Sequence, residues 1–216
     1  MKRRFFSSLS PLEFNRRKCR YRFLDAAFEV FLELGFENVT MSDVIRRSGG
    51  SFSTIYKFFG NKESLFAAAL KYKIDEVFNV FQSVAERQGE DNERRFLEEF
   101  GLKALELSIS DKSVMMFRLA ISEGHKNGGK LGQIFIEQSF NGAIKVLSDY
   151  ITKKQLEGVF KTMNPRTAAT RFFLMIKEPY GFIMLITGQK PEFSEEQKIK
   201  LVRDAVDFFL RGIAAR

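Results

Sequence analysis

Apolar positions along the chain recur at helical rather than strand spacing. Between Arg16 and Leu34, residues Leu24, Ala27, Phe28, Phe31 and Leu32 follow the i, i+3, i+4, i+7, i+8 pattern of one buried helical face, and Gly35 supplies the stop. Thr40-Met-Ser-Asp43 then offers a hydroxyl N-cap with an acidic residue three positions later, heading a short helix to about Arg47. Ser48-Gly49-Gly50 breaks it. Ser51 to Phe59 forms a second short helix with Ile55 and Phe59 turned inward, and Gly60 ends that one. Asn61 caps a longer helix that opens at Lys62, carries Leu65, Phe66, Ala69 and Leu70 on one side and runs toward Val84 or Ala85.

Beyond the Gln88-Gly-Glu-Asp-Asn92 loop, the periodicity predicts helices over about 93–108, 111–123, 130–155, 165–187 and 195–213. Two starts are signposted: Asn164-Pro165 as N-cap and first helical residue, and Ser194-Glu-Glu-Gln197 as a capping box. Pro179 falls inside the 165–187 segment, where it is expected to kink the helix and free a carbonyl. No strand alternation or internal repeat appears, so the expected fold is all-α. The expected organisation is an arm over 1–15, a three-helix domain over 16–62, a connecting helix over 63–87 and a helical domain over 88–216.

Composition narrows the chemistry. With 44% apolar and 29% charged residues and only 4 prolines, the 216-residue chain has the means to bury a core. No uncharged apolar run approaches the ~18 residues of a membrane span, the best being Phe182 to Ile186. The first ten residues lack the apolar stretch of a secretory signal, and the single cysteine, Cys19, suits a reducing cytoplasm. One cysteine and one histidine, His125, rule out a Cys/His zinc site, and His125 sits where a helix runs into a loop, a place for a capping or solvated imidazole. No GxGxxG, Walker A or GxSxG pattern occurs. A catalytic carboxylate pair such as Glu98 and Glu99 would splay apart, being adjacent on a helix. The expectation is no catalysis, no metal and no cofactor.

Charge is uneven. The formal net charge is +8, and residues 1–22 hold Lys2, Arg3, Arg4, Arg16, Arg17, Lys18, Arg20 and Arg22 against Glu13 alone, leaving the remainder nearly neutral. Such asymmetry suits an approach to a polyanion, although a solubilising tail or an anchor for acidic proteins or lipid has the same charge.

Two short helices joined by a tight glycine turn and preceded by a longer packing helix are the parts of a helix-turn-helix. Val44, Ile45, Ile55 and Phe59 would hold the angle between the two. The exposed face of the second offers Ser51, Ser53, Thr54, Tyr56 and Lys57 as hydrogen-bonding groups, with Phe52 and Phe58 for apolar contact to bases. Lys62 stands at the next helix N-terminus, where dipole and ammonium suit a phosphate.

The run Thr40-Met-Ser-Asp-Val-Ile-Arg-Arg-Ser-Gly-Gly-Ser-Phe-Ser-Thr-Ile-Tyr-Lys-Phe-Phe-Gly-Asn-Lys-Glu-Ser-Leu65 resembles the DNA-binding signature of TetR-type transcriptional regulators, the likeness reaching from about Arg17 to Tyr72. The resemblance implies a homodimer with an N-terminal three-helix reading head, a connecting helix, and a C-terminal helical domain that binds an effector and dimerises. It implies a recognition helix near Phe52 to Phe58. Arg17, Thr40, Ser42, Ser51, Phe52, Ser53, Thr54, Tyr56, Lys57 and Lys62 would be the DNA-contacting set, with Tyr56 and Lys62 on phosphates. Ile45, Ser48, Gly50 and Ser53 depart from the family's usual alanine, alanine, valine and glycine.

Further along, Phe117-Arg-Leu-Ala-Ile-Ser-Glu123 and the long segment after it resemble the C-terminal domain of efflux-gene regulators. Phe172, Phe173, Met175, Phe182 and Met184 on one predicted helix, with Val202, Val206, Phe209 and Ile213 on the other, are more apolar surface than a lone domain needs, pointing to a homodimer through the last two helices. With 25 phenylalanines and 7 methionines, an apolar or aromatic effector is expected, its candidate lining being Met115, Phe117, Phe140, Phe172, Met175 and Tyr180. The expected partner is a palindromic duplex operator, from which the effector releases a repressor; an activator, an all-α enzyme and a basic interaction module remain open readings.

Overall fold

The computed structural model describes residues 10–87, 92–124, 129–136 and 141–213. Every regular element among them is helical. The chain divides into two compact units, residues 1–73 and 74–216.

The first unit holds α1 (Pro11–Asn38), α2 (Met41–Ser48), α3 (Phe52–Phe59) and the start of α4 (Lys62–Arg87). α1 opens five residues earlier than its apolar periodicity predicts, because a capping box of Ser10 and Glu13 with Pro11 in the first turn nucleates it ahead of any buried residue. Gly35 leaves helical geometry at φ 74° and bends the chain, so the last turn, to Asn38, can carry Phe36 into the core. That core is aromatic: Phe31 lies against Phe36 and edge-on to Phe66, and Phe23 meets Phe58 and Phe59 of α3. Val44, Ile55 and Phe59 are buried as expected, whereas Ile45 is half-buried.

The second unit contains the rest of α4 and α5 (Glu93–Ser108), α6 (Asp111–Gly124), α7 (Lys130–Phe135), α8 (Asn141–Leu156), α9 (Pro165–Lys177), α10 (Tyr180–Thr187) and α11 (Glu195–Ile213). The predicted caps are in place: Asn164 accepts from the Thr167 amide at 2.9 Å, and Ser194 and Gln197 satisfy each other's backbone N–H groups. Two predicted long helices are each two. Over 130–155, α7 ends at Phe135 and α8 starts at Asn141; Gly132 presses so closely on α6 that a Cβ there would stand 2.8 Å from the Gly124 carbonyl, a contact that fixes the course of α7. Over 165–187, Pro179 separates rather than kinks, since the residue before proline is driven from helical ψ and Glu178 adopts φ −96°, ψ 148°.

One continuous core joins α5, α8, α9 and α11 around Phe96, Phe100, Ile144, Leu147, Phe172 and Val206. A buried charge cluster supports it: Lys154, 4% exposed, reaches Glu93 at 2.9 Å and Glu157 at 2.8 Å, tying the start of α5 to the end of α8. Burial opposes the charge on Lys154, yet the two carboxylates outweigh it and hold the ammonium above the ordinary lysine range. Tyr150, stacked 3.7 Å from Phe96, has its hydroxyl pushed up to about 12 by burial.

Candidate functional site

The helix-turn-helix is assembled from local signals. Thr40 accepts from the Asp43 amide, while the Asp43 carboxylate takes the Thr40 hydroxyl at 2.6 Å and the Thr40 amide at 2.9 Å. Those bonds hold the Asp43 carboxyl below its usual range. Arg46 adds an ion pair to Asp43 at 2.7 Å. The turn passes through Gly49 and Gly50 at φ 69° and 114°. At Gly50 a Cβ would lie 2.8 Å from the Phe23 ring, so the turn closes onto an aromatic side chain in place of the valine common in the resembled family. Ser51 caps α3 by accepting from the Thr54 amide at 3.3 Å, and the two hydroxyls share a 2.9 Å hydrogen bond.

With Ile55 and Phe59 buried, α3 turns Phe52 (53% exposed), Ser53, Tyr56 (48% exposed) and Lys57 outward on one face. That face combines a phenol, an ammonium, a hydroxyl and an apolar ring within six residues, a set able to bond base edges and phosphates. Ser42 is exposed on α2 and Arg17 is exposed on α1. Four expected contacts have other employment. Thr40 and Ser51 are exposed but their side chains hold helix caps. Lys62 donates to the carbonyls of Phe36 at 3.0 Å and Glu37 at 3.2 Å and lies over the Phe36 ring, so it caps the end of α1 rather than standing open to phosphate. Phe58, expected to face bases, packs half-buried against Phe23.

The candidate effector residues do not converge. Phe172 is wholly buried between Phe100 and Phe209, a core position with no access for a ligand. Met175 packs on the same core. Phe117 contacts Phe135 and carries the Lys177 ammonium 4.5 Å above its ring, Met115 is exposed, and Tyr180 meets Phe193 edge-on. Phe140 lies outside the described residues. A cleft of about 470 Å³ lies elsewhere, between the second half of α4 and α8, lined by Phe78, Ala85 and Val146 together with the charged Lys145, Asp149 and Lys153. A second, of about 400 Å³, lies across Phe78 toward Asn141 and Arg166. Phe78, Gln82 and Ala85 share one face at i, i+4, i+7, a pattern visible in the sequence, but only the approach of α8 makes it a wall.

The apolar surplus of the last helices is also redistributed. Phe172, Met184, Val202, Val206, Phe209 and Ile213 are buried within the chain, and the exposed groups are Leu174, Phe182, Ile183, Ile186 and Phe208. No helix among the described residues is long and apolar enough to cross a membrane, and no cluster of three metal-ligating side chains occurs among them.

Comparison with known proteins fits both units. The model of bacterial regulatory proteins of the tetR family matches residues 23–69, and that of the AefR-like transcriptional repressor C-terminal domain matches residues 95–213. The HTH-type transcriptional regulator YfiR of Bacillus subtilis (strain 168) is 23% identical over 167 residues, covering 76% of this chain and 78% of that protein. A TetR-family regulator structure from Mesorhizobium loti MAFF303099 superposes with a TM-score of 0.84 at 19% identity, covering 93% of this chain and 98% of that one. The FadR regulator of Bacillus subtilis, solved with stearoyl-CoA, superposes with a TM-score of 0.67 at 20% identity over 89% of this chain and 98% of that one. A three-helix reading head closed by capped short helices, followed by a helical unit that the C-terminal model spans almost end to end, makes this chain a member of the TetR family of transcriptional regulators.

Proposed function

We propose that the protein is a homodimeric repressor in the cytoplasm that binds a palindromic operator and leaves it when a small effector occupies the second unit. The observation that carries the reading is α3: eight residues, one face anchored by Ile55 and Phe59, the other presenting Ser53, Tyr56 and Lys57. A rod of this kind enters a major groove about 12 Å wide, and two of them must stand about 34 Å apart to meet successive grooves. Phe182 and Ile186 of α10 and Phe208 of α11 are the exposed rings and chains with which a second copy would be joined. The cleft between α4 and α8 is the space offered to the effector: Phe78, Ala85 and Val146 suit an apolar or aromatic part, and Lys145, Asp149 and Lys153 give the same cleft a charged wall for a polar one. A 100-fold release requires about 2.8 kcal/mol of coupling between the two sites.

Selection of bound fragments from random duplex DNA tests the reading. A palindromic consensus with half-sites about one helical turn apart is the expected result; recovery of no enriched sequence overturns it. Compounds that raise the melting temperature and also release the selected duplex identify the effector.

A further inference from the structure

The cleft between α4 and α8 does not end at Phe78. The spaces of about 470 and 400 Å³ share Phe78 and Lys145; the smaller has Asp75 of α4 opposite Asn141 of α8, and the larger has Ala85 opposite Lys153. The two helices therefore run side by side in the same direction, and the spaces adjoin as one groove. From Asp75 to Ala85 it follows about 15 Å of α4, at ~1.5 Å per residue. We infer that this groove takes an elongated amphipathic anion, an aryl or alkyl carboxylate, with its acid group at Arg166 and its apolar body along Phe78, Ala85 and Val146. The inference rests on the reading of the cleft as the effector site and names the effector's chemistry.

Charge pairing decides where the acid group lies. In the larger space every cation already has a carboxylate: Lys145 holds Asp149 at 2.7 Å, Lys153 faces Glu157 at 3.7 Å, and Lys154 is shared by Glu93 and Glu157. Arg166, on the wall of the smaller space, differs. Its guanidinium donates to the side-chain carbonyl of Asn141, and no described carboxylate pairs with it. That bond ties the start of α9 to the start of α8 and fixes the guanidinium, whose other N–H donors match the two oxygens of a carboxylate. Asn141 and Gly142 also bring the positive end of the 16-residue α8 to the same wall. Asp75, across the space on α4, has an interaction of its own.

The apolar body has a continuous floor. A Cβ on Gly142 would stand 3.0 Å from the Phe78 ring, so the ring lies against the first turn of α8 and forms part of both spaces. Ala85, Val146 and Tyr150 extend that surface away from Arg166. A cationic ligand would require an unpaired carboxylate here, and Asp149 is already held by Lys145.

Calorimetric titration of the full-length chain with phenylhexanoate, phenylhexanamide and phenylhexyl-trimethylammonium tests the inference. The carboxylate is expected to bind about tenfold tighter than the amide, the margin of one charge-assisted hydrogen bond, with the ammonium weakest. Acetate, which lacks the body, is expected to bind about 100-fold more weakly than phenylhexanoate. Arg166→Gln is expected to cost the carboxylate about tenfold and to leave the amide unchanged. Arg166→Lys keeps the charge and is expected to restore most of the loss, which separates recognition of the acid from a disturbed Asn141 contact. Equal affinity for amide and carboxylate, preference for the ammonium, an unchanged carboxylate affinity in Arg166→Gln, or no saturable binding of phenylhexanoate each overturns the inference and leaves duplex binding as the proposed function has it. Phenylhexanoate that binds through Arg166 without releasing the selected duplex upholds the anion site and removes effector release from the proposed function.

Discussion

The two units are built by different logic. In the first, each short helix carries its own start signal within four residues: Thr40 with Asp43, Ser51 with Thr54, Asn61 with the Ser64 amide. What remains for tertiary packing is to hold three capped rods at fixed angles around Phe23, Phe31 and Phe66. In the second unit, packing and cavities depend on residues far apart in sequence, such as Glu93 with Lys154 or Phe78 with α8. A surface that reads DNA can thus be specified locally, whereas a space that receives a ligand exists only once distant helices have met.

That contrast can be broken most forcefully in the aromatic core of the second unit. Phe172→Ala removes a fully buried ring between Phe100 and Phe209, and about 4 kcal/mol of stability should go with it, seen as a lower denaturant midpoint. Duplex affinity measured where the variant is still folded should match wild type; a parallel loss of affinity would mean the two units are not separable. Next in size is Lys154→Met. Its two carboxylate partners retain access to water, so the loss should be about 2 kcal/mol. The pH profile gives the sign. Glu93 is disfavoured by burial but held below its ordinary range by Lys154, and Glu157 is lowered by the hydrogen bond from Lys154. The stabilisation is therefore complete above the unfolded carboxylate pKa of about 4.3 and is lost as acidity passes the lower folded values. Lys154 itself is raised, so its contribution is whole below the unfolded lysine pKa of about 10.4 and is lost as pH rises from there through the higher folded value. Urea titrations of wild type and variant should converge as pH falls through the lowered folded values of Glu93 and Glu157, where the cluster becomes protonated.

Tyr56→Ala should do the reverse of Phe172→Ala. With the ring already half in solvent, stability should change by no more than about 0.5 kcal/mol, while affinity for the selected duplex falls about 30-fold, or about 2 kcal/mol. Unaltered anisotropy titrations would remove α3 as the reading helix. The smallest effect belongs to Thr40→Ala, which loses the cap of α2 at a cost of about 1 kcal/mol. Because the Asp43 carboxyl is held low chiefly by the Thr40 hydroxyl, that stabilisation is present above the unfolded aspartate pKa of about 3.9 and disappears as pH falls through the folded one. A thermal-melt difference between variant and wild type that did not narrow at low pH would contradict this.

The same division explains what can be read from the chain alone. The starts of α2, α4, α9 and α11 are legible because a cap and its partner sit three residues apart. The limits of α5 and α11 are legible because their apolar periodicity is unbroken. Pro179 announces a disturbance, but its severity depends on the backbone of Glu178. Phe172 and Phe117 look alike in sequence, and only packing makes one core and leaves the other beside Lys177. Lys62 departs from expectation for a related reason: its place at a helix N-terminus is visible in sequence, but the carbonyls of Phe36 and Glu37 that receive its protons come from the far end of another helix.

The closure of the turn over Phe23 bears on how this reading head can diverge. The ring fills the volume that a side chain at position 50 would need, and the backbone there sits at a φ of 114°, which L-residues rarely adopt. A descendant that acquires a branched residue at 50 must therefore shrink residue 23 and reroute the turn together, so the two sites are expected to drift as a linked pair across close relatives, with single exchanges absent.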